Sequence, residues 1–195
     1  MLFRRYDTTP DSPLSFGYKI DWLAVQSVDT ARLVDSLALR KIKPANWREG
    51  LQVSRRHVFV APAVDGWQLV VNFRLAESGA VERLAAISSD NDARVCFFGS
   101  HRGVTYHAWG RAQHGVTERL YMHADGVTYY DFGPRTRDEI ALEVEYWDGD
   151  LDEVDEEKLA GEETVIALAS RWSLDPTTLA ERHEALGVGL IGKVS

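Results

Sequence analysis

The stretch RVCFFGSHRGVTYHAWGRAQHGVTERLYMHADGVTYYDF, residues 94–132, decides the fold. It holds four runs rich in β-branched and aromatic residues, at 94–98, 104–112, 116–123 and 127–132. The joins are 100–103, the bend at His114 and Gly115, and the pair Asp125 and Gly126. Joins this short suit antiparallel hairpins, because a parallel return needs a crossover of about a dozen residues or more. Four consecutive antiparallel strands are therefore expected.

Toward the N-terminus, YKIDWLAV (18–25) reads as a further strand. Asp29 is placed to cap a helix from Thr30 to about Leu39, with Leu33, Val34 and Leu37 on its buried side. Lys43 and Pro44 break the pattern, and Asn46 caps a short turn through Trp47. Residues 57–60 and 67–73 read as two strands joined around Asp65 and Gly66, and a short helix near 80–86 ends before SSDND. Toward the C-terminus, Thr136-x-x-Glu139 matches a capping box. Val165, Leu168, Ala169 and Trp172 share one helical face, and Asp175 before Pro176 opens a last helix to about His183. The apolar, glycine-rich tail LGVGLIGKV is expected to dock on the core. Strands and helices are segregated, so the expected class is α+β: an antiparallel β-sheet packed with helices and a C-terminal helical segment. One domain over 1–195 is expected, with a soft boundary near 133 and a helical part over 134–195.

The composition, 45% hydrophobic and 27% charged over 195 residues, is that of a globular chain able to bury a core. A net charge of -8 argues against nucleic acid and anionic membrane surfaces as partners, since both call for clustered Lys and Arg. The single cysteine, Cys96, rules out an intrachain disulfide and a Cys-rich zinc site. With no signal-peptide pattern at the start and no run of about 18 apolar residues, a cytoplasmic location is expected.

No catalytic motif stands out. Cys96, flanked by Val95 and Phe97, suits a small core position rather than a nucleophile. Ser100 lacks the flanking glycines of a nucleophile elbow and reads as a turn residue. His101, His107 and His114 lie near one another in sequence, but without metal-ligand spacing, and Arg111 shares the His107 face. Gly187-x-Gly189-x-x-Gly192 matches the dinucleotide pattern in letters only, because no helix can follow it in the three remaining residues. DGDLDE departs from a calcium loop at the sixth position, Glu153, and the twelfth, Leu159. No catalytic residue, cofactor or metal is assigned.

The strongest signal is charge. DGDLDEVDEE (148–157) has seven acidic residues in ten, and 138–163 carries thirteen carboxylates against Lys158 alone. The bland reading is a solvated loop. The sharper one is a docking surface in which Asp148, Asp150, Asp152, Glu153, Asp155, Glu156 and Glu157 meet a basic protein while Tyr146 and Trp147 supply apolar anchors.

The segments KIDWLAVQS (19–27), KPANW (43–47), VDGWQLVV (64–71), FFGSHRGVTYHAWGRA (97–112) and ALASRWSLDPTTL (167–179) resemble a family of small bacterial proteins. That family is similar to immunity proteins encoded beside secreted antibacterial toxins, type VI effectors among them. The resemblance extends over about 16–190 and implies a cognate toxin as partner, no cofactor and no catalytic residue. A nuclease toxin would present a basic cleft to an acidic inhibitor. Two other readings stand beside it. One is an enzyme with an unfamiliar site around His101, His107 and His123; the other is an adaptor that uses the acidic segment without inhibiting anything.

Overall fold

The run 94–132 is built as its sequence implies. Strands β5 (Val95–His101), β6 (Tyr106–Gln113), β7 (Val116–Ala124) and β8 (Val127–Phe132) pair antiparallel in succession in the computed structural model. The model describes residues 5–54, 56–146, 159–182 and 186–194. The β6–β7 and β7–β8 turns have two residues, His114-Gly115 and Asp125-Gly126, and all four take positive φ. That conformation matches the twist of the flanking strands, and glycine reaches it without a Cβ penalty.

The other strands are β1 (Asp21–Gln26), β2 (Leu39–Ala45), β3 (Val58–Val60), β4 (Trp67–Val71) and β9 (Gly189–Val194). Together they form one nine-stranded antiparallel sheet in the order β2-β9-β3-β4-β1-β5-β6-β7-β8. The helices are α1 (Thr30–Ser36), α2 (Trp47–Leu51), α3 (Ala80–Asn91), α4 (Arg137–Ala141) and α5 (Glu162–Trp172). Single 3-10 segments lie at Arg102–Val104 and Pro176–Glu181. The class is therefore α+β, with helices on both faces of the sheet.

Alternation along the strands makes two cores. Leu23, Val25, Val70, Phe97 and Leu120 face α1 and α3, where Leu33, Leu84 and Ile87 meet them. Trp22, Phe59, Phe98, Trp109 and Tyr121 face the other way, against Leu168, Ala169 and Trp172 of α5 and Leu179. Trp22 stacks on Phe98 with ring centroids 5.2 Å apart. Strands β1, β4 and β5 are buried on both faces, which accounts for their nearly continuous apolar sequences.

Several local expectations hold. Asp29 accepts from Arg32 N, Asn46 from Glu49 N and Asp175 from Thr177 N, each capping the helix it precedes. Thr136 and Glu139 make both bonds of the capping box. Others are corrected. Residues 39–45, read as the end of a helix and a break, form strand β2. Pro44 is tolerated there because β2 is an edge strand, where one row of N–H groups has no neighbour to serve. Helix α3 runs on through Asn91, since Asn91 Nδ2 donates to Ile87 O and Asp92 closes the helix in the left-handed region. The segment after Pro176 is a 3-10 helix ending at Glu181. Ser100 lies within β5 and is buried, not in a turn. The tail does dock, as a strand: β9 enters between β2 and β3. Among the described residues no helix is long and apolar enough to cross a membrane.

Gly189 shows why the tail is rich in glycine. A Cβ there would run into the Val60 carbonyl oxygen and the Phe59 ring. Gly189→Ala should therefore destabilise the fold by ~1–3 kcal/mol through overpacking, read as a lower urea midpoint at unchanged slope.

Candidate functional site

The sheet ends on β7 and β8 in a buried polar hub. Arg119 of β7 is fully buried, on the same strand face as Tyr121 and His123. A buried guanidinium must find acceptors for its five donors. Its Nε donates to Glu139 Oε1 at 2.9 Å, and its Nη1 donates to Asp131 Oδ1 and, at 3.1 Å, to the Phe132 carbonyl. Glu139 is equally enclosed and accepts at Oε1 from Trp109 Nε1 (2.9 Å) and the Tyr146 hydroxyl (2.6 Å), and at Oε2 from Thr136 N (2.7 Å). Burial opposes ionisation of Glu139, but bonds from Tyr146, Thr136, Trp109 and Arg119 outweigh it and keep the carboxyl below its ordinary range. The capping box thus does two jobs, starting α4 and aiming a carboxylate at Arg119.

The hub reaches the described flanks of the acidic segment, Tyr146 directly and Leu159 through its bridge to Glu145. Tyr146 hydrogen-bonds Glu139, packs edge-on to Tyr121 at 4.7 Å and carries Arg135 over its ring at 3.9 Å. One residue back, Glu145 bridges Leu159, and Ala160 N donates to the Glu145 carbonyl at 3.0 Å. The described chain on either side of 147–158 is therefore joined at one narrow neck. Of the residues singled out for partner binding, Tyr146 lies in this neck, turned inward. Trp147, Asp148, Asp150, Asp152, Glu153, Asp155, Glu156 and Glu157 lie outside the described residues.

Several of the thirteen carboxylates have partners within the fold. Glu139 pairs with Arg119, and Asp138 accepts from Trp172 Nε1 at 2.9 Å. Glu162, nearly buried, takes Arg102 at 2.6 Å and accepts from the Ser100 hydroxyl at 3.4 Å. Glu163 accepts from the Tyr18 hydroxyl at 3.4 Å.

Beside the neck is a cavity of about 350 Å³ lined by Thr105, His107, Tyr121, His123, Gly126, Leu159 and Ala160. His107 and His123 stand directly opposite each other on β6 and β7. His123 Nδ1 meets Thr128 Oγ1 at 3.1 Å, while buried His107 Nδ1 has no hydrogen-bond partner among the described residues. Burial lowers the pKa of both imidazoles; at His107 the Glu162 charge opposes that shift and His123 adds to it. His101 points the other way, into a cavity of about 400 Å³ on the α3 face with Lys19, Asp21, Arg74, Glu77 and Tyr106. Asp21 meets Arg74 there at 3.8 Å. His114 sits in the β6–β7 turn. The structure thus joins His107 with His123 and separates both from His101. Among the described residues no group of three metal-ligating side chains comes together. Cys96 is a core residue whose thiol burial pushes up to about 12.

Sequence reasoning missed Arg119. The available signal was a charge within TERLYMH on the strand face that also carries Tyr121. The comparisons add no relative: no protein-family model, curated protein or solved structure matches this chain.

Two outcomes follow from this geometry. Arg119→Met leaves Glu139 buried without its cation and should cost ~3–5 kcal/mol, whereas Arg119→Met/Glu139→Leu should recover much of that loss in urea unfolding. The imidazoles set a pH dependence. Their folded pKa values lie below 6.5, so on acidification the unfolded chain takes up protons first. Stability should be complete above pH 6.5 and decline below it, and His107→Phe/His123→Phe should flatten that decline.

Proposed function

We propose that this chain is a binding protein that presents its acidic segment to a basic protein partner. The observation carrying this reading is the neck. Seven carboxylates in ten residues lie between two flanks that are bridged to each other at Glu145 and Leu159 and tied through Tyr146 to a buried ion pair. Concentrating like charge in one segment costs self-repulsion, and an opposite field on a partner offsets that cost. Rigid flanks lower the entropy lost when such a segment docks.

The partner we propose is a secreted antibacterial toxin, with this chain acting in the cytoplasm as its immunity protein. The resemblance of the segments in 16–190 supports that choice, and the charge favours a nuclease, whose cleft must be basic to hold phosphates. Inhibition would come from occlusion, with carboxylates taking the place of phosphate oxygens. Rim pairs of this kind act chiefly on the association rate. A second reading, an enzyme working at the cavity, is favoured by the opposed imidazoles of His107 and His123. Substrate turnover that His107→Phe abolishes would select it. An adaptor that docks without inhibiting would bind the partner and leave the partner's activity intact.

Co-expression with the toxins encoded beside the gene tests the proposal. Wild-type chain should rescue growth. Changing Asp150, Asp152, Asp155 and Glu156 together to Lys should slow complex formation by roughly tenfold or more at low salt, with thermal stability unchanged. Failure to rescue from every neighbouring toxin, or an unaltered association rate in that variant, would contradict it.

A further inference from the structure

The sheet edge farthest from the hub carries a charge opposite to that of the whole chain. Residues 39–60 hold six Arg or Lys against one acid, Glu49, in a chain of net charge -8. Strand β2 contributes Arg40, Lys41 and Lys43. Cations on an edge strand repel the addition of further strands, and those three call for no other account. Lys193 is different. It lies on β9, which has β2 on one side and β3 on the other, so it guards no edge. Its directly opposite residue on β2 is Arg40. Like charges facing each other on antiparallel strands repel. Neither has an ion-pair partner among the described residues. Strand alternation puts Lys43 on the face of Ala45 and Lys193 on the face of Ile191, the face that packs against α5. His57, just before β3 and held by Ser54 Oγ at 3.1 Å from its Nδ1, stands within the same field. Burial lowers its pKa, and the charges of Lys193 and Lys43 lower it further. The β2 and β8 edges lie on the order of 40 Å apart along the sheet, several Debye lengths at physiological salt, so acids near the hub do not cancel this patch.

A surface that holds two cations in opposition calls for an anion, and the surroundings narrow its kind. A long polyanion, whether nucleic acid or an anionic membrane, meets the field of the whole molecule, which is repulsive at -8. A compact acidic group meets only the local field, within about 8 Å. The aromatic rings next to the patch, Trp47 and Phe59, are buried and cannot stack on bases. Carboxylates form charge-assisted hydrogen bonds with guanidinium and ammonium alike. We infer that Arg40 and Lys193, flanked by Lys41 and Lys43, are a docking surface for a short acidic segment of a protein partner, whose Asp and Glu carboxylates lie between the opposed cations. This surface is independent of the function proposed above, which uses the other end of the sheet.

The test uses the full chain at low salt and a capped hexaglutamate peptide, with capped hexaglutamine as its uncharged counterpart. A thymidine hexanucleotide and phosphatidylserine vesicles stand for the other anion classes. NMR follows the His57 imidazole, which reports the field at the patch without being part of the proposed contact. Hexaglutamate should shift it saturably, with Kd on the order of 0.1–1 mM, and should raise its pKa, because carboxylates beside Lys193 and Lys43 offset charges that lower it. Arg40→Gln/Lys193→Gln should weaken binding about tenfold or more while leaving the urea midpoint unchanged or higher, since it removes a repulsion. Lys19→Gln/Arg74→Gln, which removes two cations elsewhere, should alter binding by less than about twofold. Hexaglutamine binding as well as hexaglutamate, undiminished binding in Arg40→Gln/Lys193→Gln, or a lower urea midpoint in that variant would overturn the inference. Tighter binding of the oligonucleotide or the vesicles than of hexaglutamate would overturn the assignment to a protein segment.

Discussion

Everything at the β7–β8 end of the molecule depends on neutralising one buried arginine. Arg119 has no exposed side-chain surface, and a lone guanidinium in such a place would be intolerable. Glu139 removes that cost and in doing so fixes a set of otherwise unrelated parts. It brings the start of α4 against the sheet, gives the Trp109 indole N–H its acceptor and secures the Tyr146 hydroxyl. Removing the charge from either partner leaves the other stranded, so the hub acts as a unit. Ion pairs of this kind add little net stability compared with well-packed apolar side chains. What this one supplies is position: it fixes where the chain stands when it enters the acidic segment.

Charge in this chain is sorted by role. Asp138, Glu139 and Glu162 look like part of one acidic run in the sequence, yet each has an internal partner: the Trp172 indole, Arg119 and Arg102. They bracket the ten-residue run 148–157 and tie its surroundings to α4, α5 and the sheet. The docking proposed above uses this division, since the flanking carboxylates are held by internal partners. Without it, repulsion would spread the segment and its flanks alike. The neighbouring cavity follows the same logic, because Leu159 and Ala160 serve the neck and the cavity wall at once.

Much of this was legible in the sequence where the cause is local. The hairpin turns at His114-Gly115 and Asp125-Gly126, the Asp29, Asn46 and Asp175 caps and the Thr136–Glu139 box depend on neighbours a few residues away, and these occur as read. Strand β2 was not legible, since its pairing partner β9 lies about 150 residues later and Pro44 masks the pattern until its edge position is known. The apolar tail announced burial but not insertion between β2 and β3. Arg119 and the facing of His107 on His123 were hidden for the same reason: register across the sheet, not spacing along the chain, decides which side chains meet. Nothing in the spacing could have separated His101 from His107, whereas strand alternation and the 3-10 segment between them send the two to opposite faces.

The most direct measurement is amide hydrogen exchange at Ala160, whose N–H closes the neck on the Glu145 carbonyl. It would be compared between the wild-type chain and Arg119→Met/Glu139→Leu, in which the hub is replaced by apolar side chains. If the buried pair is what positions the neck, Ala160 should lose at least about tenfold of its protection while the β1 and β5 amides keep theirs. Undiminished protection at Ala160 in a folded double variant would contradict that dependence.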